Sequence, residues 1–479
     1  MTATHDSDRI PAPEHRLEER PRDNEPPIQE SKLMRVYAHP WTQILLISFI
    51  CFCLPGMFNA LTGLGGSGQV DSSVAANANV ALLSTTAAVA LFVAAPVFSW
   101  LGPRTCFLVG GWTYALYSGS LLNFNRTGNG AFVIAAGAVL GIGSAFLWIV
   151  QGAIMTTYVD EASKGRAIAV FWLIFNLGGG IGSLASFGIN YHSSSNSVSS
   201  STYIALMAVM LFGWLLGVFI CPPACIRLAQ LHRAVELETH TLRGTLDMAV
   251  RTMTRWRVAC MLPLFFSANV FYSYQQNNVN GLTFDIRTRS LNSALYWIAQ
   301  MFGGFLIGTL LDLPSLDRPR RARLGWAIVF AAGMAIMGGG YRFQRWQDAR
   351  FAAGHAQDLD YRDARAATGP IFLYIFYGMY DALWQGFSYW LIGTESNSAA
   401  QAAILTGAYK SFQACGGAMA WRINALGKSG MTQLAMDWGL CIGSLVIALP
   451  AVWTVSKKTE AEDESGAAAD EKPELKAMD

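Results

Sequence analysis

The sequence predicts an all-α integral membrane protein of about twelve transmembrane helices, and three observations carry that prediction. Of 479 residues, 52% are hydrophobic and only 14% charged, whereas charged residues make up roughly a quarter of soluble domains. The apolar residues gather in runs of about twenty, the length a helix needs to cross a bilayer with every backbone group satisfied internally. Shorter polar segments rich in Pro, Gly and charge separate the runs.

The runs lie near 42–64, 77–100, 105–123, 130–157, 167–189, 202–222, 257–276, 291–311, 324–340, 370–393, 400–421 and 432–454. Residues 1–40 precede them, rich in Pro, Glu, Asp and Arg and without an apolar core. That composition predicts a disordered tail rather than a cleavable signal peptide. An N-terminal half of six helices follows over 41–222. The polar connector 223–256 then leads to a C-terminal half over 257–454, and a second charged tail occupies 455–479.

Lys and Arg collect on the cytoplasmic side of short loops, which orients the spans. Arg104, Lys164 and Arg166 fall in predicted inner loops of the first half, and Arg126 in an outer one. The connector 223–256 holds Arg227, Arg233, Arg243, Arg251 and Arg255, so it and both termini are expected in the cytosol. Arg318, Arg320, Arg321 and Arg323 agree, while the expected outer loop 341–367 balances five arginines with four aspartates. Asn125-Arg126-Thr127 is an N-glycosylation acceptor in a predicted outer loop. The plasma membrane and an endomembrane or vacuolar membrane both fit this layout.

A net charge of +2, with no basic cluster interleaved with aromatics, argues against nucleic-acid binding. The eight cysteines sit in or beside apolar runs without metal or disulfide-framework spacing. No His/Cys/carboxylate set has metal spacing and no Gly-x-Ser-x-Gly elbow is present. The expectation is a protein that is not an enzyme and uses neither metal nor cofactor.

Asp381 and Lys410 are the residues where chemistry is expected, because each sits near the middle of an apolar run. A charge there is costly and is normally turned toward an internal cavity or another charge. Three readings stay open: a buried ion pair that fixes packing, a carboxylate that couples protons or serves as counter-ion to a cationic substrate, with the lysine setting its pKa, or two charges with no direct contact. Amides and aromatics at similar depth, Asn59, Trp148, Gln151, Asn176, Trp384, Gln385 and Gln413, are expected to line the cavity. Asp437 is read as an edge position near the outer end of the last span. Gly178-Gly-Gly180-Ile-Gly182 is read as close helix packing rather than a dinucleotide loop, like the pairs Gly137 with Gly141 and Gly304 with Gly308. The run Tyr272–Asn280 is expected at the outer mouth, with Arg287 and Arg289 as solvated charges or anion ligands.

Six spans, a cytoplasmic connector and six more resemble the major facilitator superfamily, whose halves rock about a central site. Gly308-Thr-Leu-Leu-Asp312 with Arg318, Arg320 and Arg321 is similar to that superfamily's hinge signature. The equivalent place after span two keeps only Gly102 and Arg104, with Ser99 where the signature has aspartate. Longer phrases resemble the Unc-ninety-three-like family: Gly56-Met-Phe-Asn59…Gly65-Gly66, Trp148-Ile-Val-Gln151-Gly152, Lys164-Gly165-Arg166…Asn176, and Tyr274-Gln275…Asn280…Arg289. Gly378-Met-Tyr-Asp381…Gln385 and Gly407-Ala-Tyr-Lys410-Ser-Phe-Gln413 are similar to its fungal branch. The resemblance covers about 41–454 and implies a major facilitator fold. It implies either transport of a small solute or ion by alternating access, in a form the intramembrane acid suggests is proton-coupled, or regulation and trafficking of another membrane protein, such as an ion channel.

Overall fold

Helices make up nearly all of the described chain, as lipid requires of a backbone that has no water to bond to. The computed structural model describes residues 36–69, 72–158, 161–193, 197–221, 250–395 and 399–457. The expected tails and central connector lie almost wholly outside them.

The first half begins with α1 (Pro40–Cys51), entered through a proline whose missing N–H costs nothing at a helix start. Pro55 would break the ladder further along the same span. A π turn over Phe52–Gly56 absorbs it before α2 (Met57–Gly63) continues. The remaining helices of this half are α3 (Ser73–Phe92), α4 (Ala94–Gly111), α5 (Thr113–Thr127), α6 (Gly130–Thr157), α7 (Glu161–Asn190) and α8 (Ser200–Leu216). Gly102 inside α4 has φ 73°, and there the chain turns from span two into span three. The second half contains α9 (Trp256–Ser267), a π segment over Tyr274–Gly281, α10 (Ile286–Leu311), α11 (Arg318–Ala352), α12 (Ala364–Gly393), α13 (Ala399–Ala425) and α14 (Gly430–Trp453).

Among the described residues, eight helical stretches have the length and apolar composition to cross a membrane. Helices α12 and α13 are not among them, because tyrosines, glutamines, Asp381 and Lys410 replace aliphatic residues along their length. The core divides into two large hydrophobic clusters, one drawn from 38–221 together with Ile286 and the other from 258–455, and a small third one of Phe284, Leu359 and Ala367. Helix α13 lies along α3 and α10 along α7, forming the seam between the halves.

Glycines set several of these approaches. A Cβ on Gly178 would sit 2.5 Å from the Phe52 carbonyl oxygen, and one on Gly137 2.5 Å from that of Ala78. The expected close packing at Gly178 and Gly137 is therefore present. Gly304 and Gly308 face nothing within 4 Å, and the packing glycine of α10 is Gly303, whose Cβ would meet the Met379 carbonyl at 2.5 Å. Shifting by one residue turns a helix position by about 100°, enough to exchange the packed face for the outer one.

Two further expectations change. The segment 341–352, read as loop, continues α11 to Ala352. The run Tyr272–Asn280, expected at the outer mouth, is buried from Ser273 onward, with a π segment over Tyr274–Gly281.

Candidate functional site

Asp381 lies midway along α12 and is only 1% exposed. One carboxylate oxygen accepts from the Tyr272 hydroxyl and from Gln300 Nε2, and the other accepts from Gln385 Nε2 at 3.2 Å. Gln385 lies one turn along the same helix, where residues four apart face each other. Tyr272 and Gln300 arrive from the span-seven segment and α10. Neither was predicted from sequence, since no spacing rule connects them to Asp381.

Lys410 lies midway along α13 and is partly exposed. It makes no ion pair among the described residues. Its Nζ donates to Gln413 Oε1 at 3.0 Å and stands 5.4–5.7 Å from the ring centroids of Trp148, Tyr389 and Tyr409. Trp148 belongs to α6 of the first half, so the ammonium is held from both sides of the seam. Trp172 of α7 meets Tyr389 with ring centroids 6.2 Å apart, which extends the aromatic wall.

The two charges are joined through the amides between them. Gln413 Nε2 donates to Gln385 Oε1 at 3.2 Å, and Gln385 donates onward to Asp381. An ammonium can only donate and a carboxylate can only accept, so the ends dictate which way both amides face. Tyr409 also donates to Gln385 Oε1, and Gln385 Nε2 reaches the Ala268 carbonyl at 3.0 Å. A direct Asp381–Lys410 ion pair, one of the three sequence readings, is not formed; the two side chains make no direct contact among the hydrogen bonds and ion pairs of the described residues.

The other expected lining residues divide. Asn59 and Gln151 are partly exposed and make no side-chain hydrogen bond among the described residues. Asn176 is 7% exposed with an unpartnered carbonyl oxygen, one turn on from Trp172. Trp384 is 1% exposed, its Nε1–H is unpartnered, and its ring meets Tyr380 edge to face at 6.0 Å.

The halves are bonded at the end opposite Pro40 and Trp453. After α2 the chain unwinds through Gly65, Gly66 and Gly68, all at positive φ, a conformation open to glycine. That unwinding frees carbonyls for the other half. Arg289, fully buried, donates to the carbonyls of Leu64 at 2.6 Å, Gln69 at 3.4 Å and Gly65. Asn280 Nδ2 and the Tyr374 hydroxyl reach the Gly63 carbonyl at 2.8 and 3.2 Å, Asn277 Oδ1 accepts from Gly66 N–H at 2.7 Å, and Ser183 meets Ser293 at 2.8 Å. Arg287 is occupied by Asp360 at 3.1 Å and Asp285 at 3.6 Å. Both arginines read as solvated charges or anion ligands are therefore engaged by protein.

Asp437, expected at an edge, is fully buried in the second half with both carboxylate oxygens unpartnered. Asn125, expected in a loop, lies in the last turn of α5, and its amide donates to the Val198 carbonyl at 3.2 Å. At the hinge positions, Arg104 Nε donates to the Ile220 carbonyl at 2.7 Å and tethers spans three and six. Arg321 binds the Leu316 carbonyl at 2.8 Å and the Leu311 carbonyl at 3.3 Å, closing the end of α10. Asp317 caps α11 and lies 3.8 Å from Arg320, while Asp312 is exposed and forms no ion pair among the described residues.

Comparison with known proteins places this geometry. A family model described as ion channel regulatory protein UNC-93 matches residues 72–312. The chain is 39% identical over 424 residues to an UNC93-like protein of Schizosaccharomyces pombe, covering 88% of this chain and 84% of that one. UNC93-like protein 1 of Arabidopsis thaliana is 38% identical over 432 residues, covering 88% and 92%. Among solved structures, a D-xylose–proton symporter superposes with a TM-score of 0.57 at 13% identity, covering 89% of this chain and 99% of that one. A peptide transporter in complex with alafosfalin gives 0.55 at 14%, covering 88% and 98%. These similarities in structure show the fold alone.

Proposed function

The chain belongs to the UNC-93 family, and we propose that it moves a small solute or ion across a membrane by alternating access, coupled to protonation of Asp381. The observation that carries this reading is the line from Lys410 through Gln413 and Gln385 to Asp381, set where the two halves meet. Charges buried only to fix packing gain most from direct contact. These stay apart, and the partly exposed one touches rings from both halves.

The parts have distinct roles in the mechanism proposed. A solute enters between the halves and displaces ring faces from Lys410. A proton taken up by Asp381 removes the strong acceptor at the far end of the amide line, so occupancy at one end alters the other. Such coupling is reciprocal by linkage. The bonds centred on Arg289 and Gly63–Gln69 close one end of the path and must break for the alternate state, as a packed interface with two arrangements allows. In this mechanism the protein lies in the plasma membrane or an endomembrane or vacuolar membrane, with both termini in the cytosol.

The decisive experiment is proton flux in proteoliposomes holding the full chain, run against anionic, neutral and cationic solutes, with Asp381→Asn alongside wild type. Solute-dependent flux that the variant lacks supports coupled transport. The description of the matching family model supports a second reading, in which this fold regulates another membrane protein. Folded wild type that moves no solute of any charge would favour that reading.

A further inference from the structure

We propose that the solute is a small aromatic carboxylate, its carboxylate on Lys410 and its ring against the wall formed by Trp148, Trp172, Tyr389 and Tyr409. This rests on the transport reading and names its substrate class.

Lys410 carries a charge that no carboxylate pairs with among the described residues. An ammonium carries three donors, and Lys410 gives one to Gln413 while facing ring surfaces with the rest of its head. Ring faces attract a cation through their quadrupole but carry no net charge. The carboxylate that would neutralise Lys410 stands beyond two glutamines. A cationic solute would be repelled at this place, and a neutral polyol would leave the ammonium as it is. An anion supplies what the site lacks, in a partly dehydrated setting where charge-assisted hydrogen bonds are strong.

The walls then select the rest of the molecule. Trp148 and Phe175 meet edge to face at 5.7 Å, Trp172 and Phe175 at 5.6 Å, and Tyr389 and Tyr409 stand 4.9 Å apart. A planar ring can join that edge-to-face pattern, while a short aliphatic acid leaves the faces wet. The charges also account for the coupling. Once Asp381 is neutral, Lys410 loses its remote counter-charge and holds an anion more tightly, so anion and proton travel together without net charge.

Benzoate is the probe, with acetate, benzamide and benzamidinium as controls. Binding to the purified full chain in micelles is measured by titration calorimetry. Benzoate is expected to bind at least about tenfold more tightly than any control, about 1.4 kcal/mol. Lys410→Met should lose that margin, Lys410→Arg should keep most of it, and Asp381→Asn should bind benzoate several-fold more tightly than wild type. Because Lys410→Met could disturb folding, the comparison of ligands on wild type stands by itself. Absent benzoate binding, equal binding of benzamide, or tighter binding of benzamidinium overturns the proposal. Flux of a neutral or cationic solute without benzoate binding would overturn only the substrate class, whereas absent flux for every solute would remove the transport reading beneath it.

Discussion

Lys410 and Asp381 are joined head to tail through two glutamine amides: Lys410 donates to Gln413, Gln413 to Gln385, and Gln385 to Asp381. Every donor in the line points toward the carboxylate. Neutralising the aspartate or engaging the lysine therefore changes the hold on every member between them.

The first prediction concerns the middle of that line. Gln385→Leu leaves Tyr272 and Gln300 on Asp381 but orphans the Tyr409 hydroxyl and leaves Gln413 Nε2 only the Asn269 Oδ1 at 3.4 Å. It should cost about 1–3 kcal/mol of stability, the range for an unsatisfied buried polar group, and should uncouple solute movement from proton flux. Thermal unfolding in micelles and the proteoliposome assay measure the two effects; an unchanged flux ratio would disprove the role of the line.

Arg289 should hold one end of the molecule closed. Arg289→Met removes the donors to Leu64, Gly65 and Gln69 and leaves backbone carbonyls unmet, at about 1.5–3 kcal/mol for bonds to a charged group. A cysteine placed at Ser293, against Ser183 at the seam, should then react faster with a membrane-impermeant thiol reagent. Arg287→Gln is the control, because its partly exposed pairs with Asp285 and Asp360 contribute less than about 1 kcal/mol. Equal labelling in both variants would mean that Arg289 does not hold the seam.

Two glycines of similar sequence context should behave oppositely. Gly178→Ala pushes a methyl into the Phe52 backbone and should lower Tm by several degrees or prevent accumulation of folded protein. Gly308→Ala meets open space and should be neutral or stabilising by up to about 1 kcal/mol, the helix preference of Ala over Gly. A Gly308→Ala protein that folds normally yet moves no solute would show that this glycine serves motion rather than packing.

Asp437 gives the fourth. Its carboxylate is buried with both oxygens unpartnered, and such a group costs stability. Asp437→Leu matches its shape without polar atoms and should raise Tm, by about 1–3 kcal/mol of added stability. Lost flux in a stabilised Asp437→Leu protein would instead assign Asp437 to the proton path.

Much of the layout was legible before any coordinates. Apolar runs twenty residues long can be little else than spans, because lipid leaves a backbone no other way to satisfy itself. The same rule singled out Asp381 and Lys410, and depth in the membrane marked Gln385 and Gln413 as candidates around them. Spacing could not say whether Asp437 faced lipid or core, since a helix rotates freely about its axis until its neighbours are known. For the same reason Gly304 and Gly308 were read as the packing glycines of α10 where Gly303 packs. The polar run from Tyr272 to Asn280 looked solvated because its partners lie on other segments: Asp381 for Tyr272, Gln344 for Tyr274, Tyr296 for Gln275, the Gly66 N–H and Asn424 for Asn277, and the Gly63 carbonyl for Asn280.

By itself the sequence determined a bundle of membrane helices, the two charges within it and their immediate helical neighbours, all consequences of local composition and of the cost of polar groups in lipid. The tertiary structure alone decided that those charges meet through amides rather than directly, that Trp148 from the opposite half faces Lys410, and that Arg289 closes the seam. Of those contacts, the amide line joins two different helices, and Trp148 with Lys410 and Arg289 with Leu64 join residues from opposite halves of the chain. Their energy depends on which helix faces are turned together, and no periodicity along one chain encodes that.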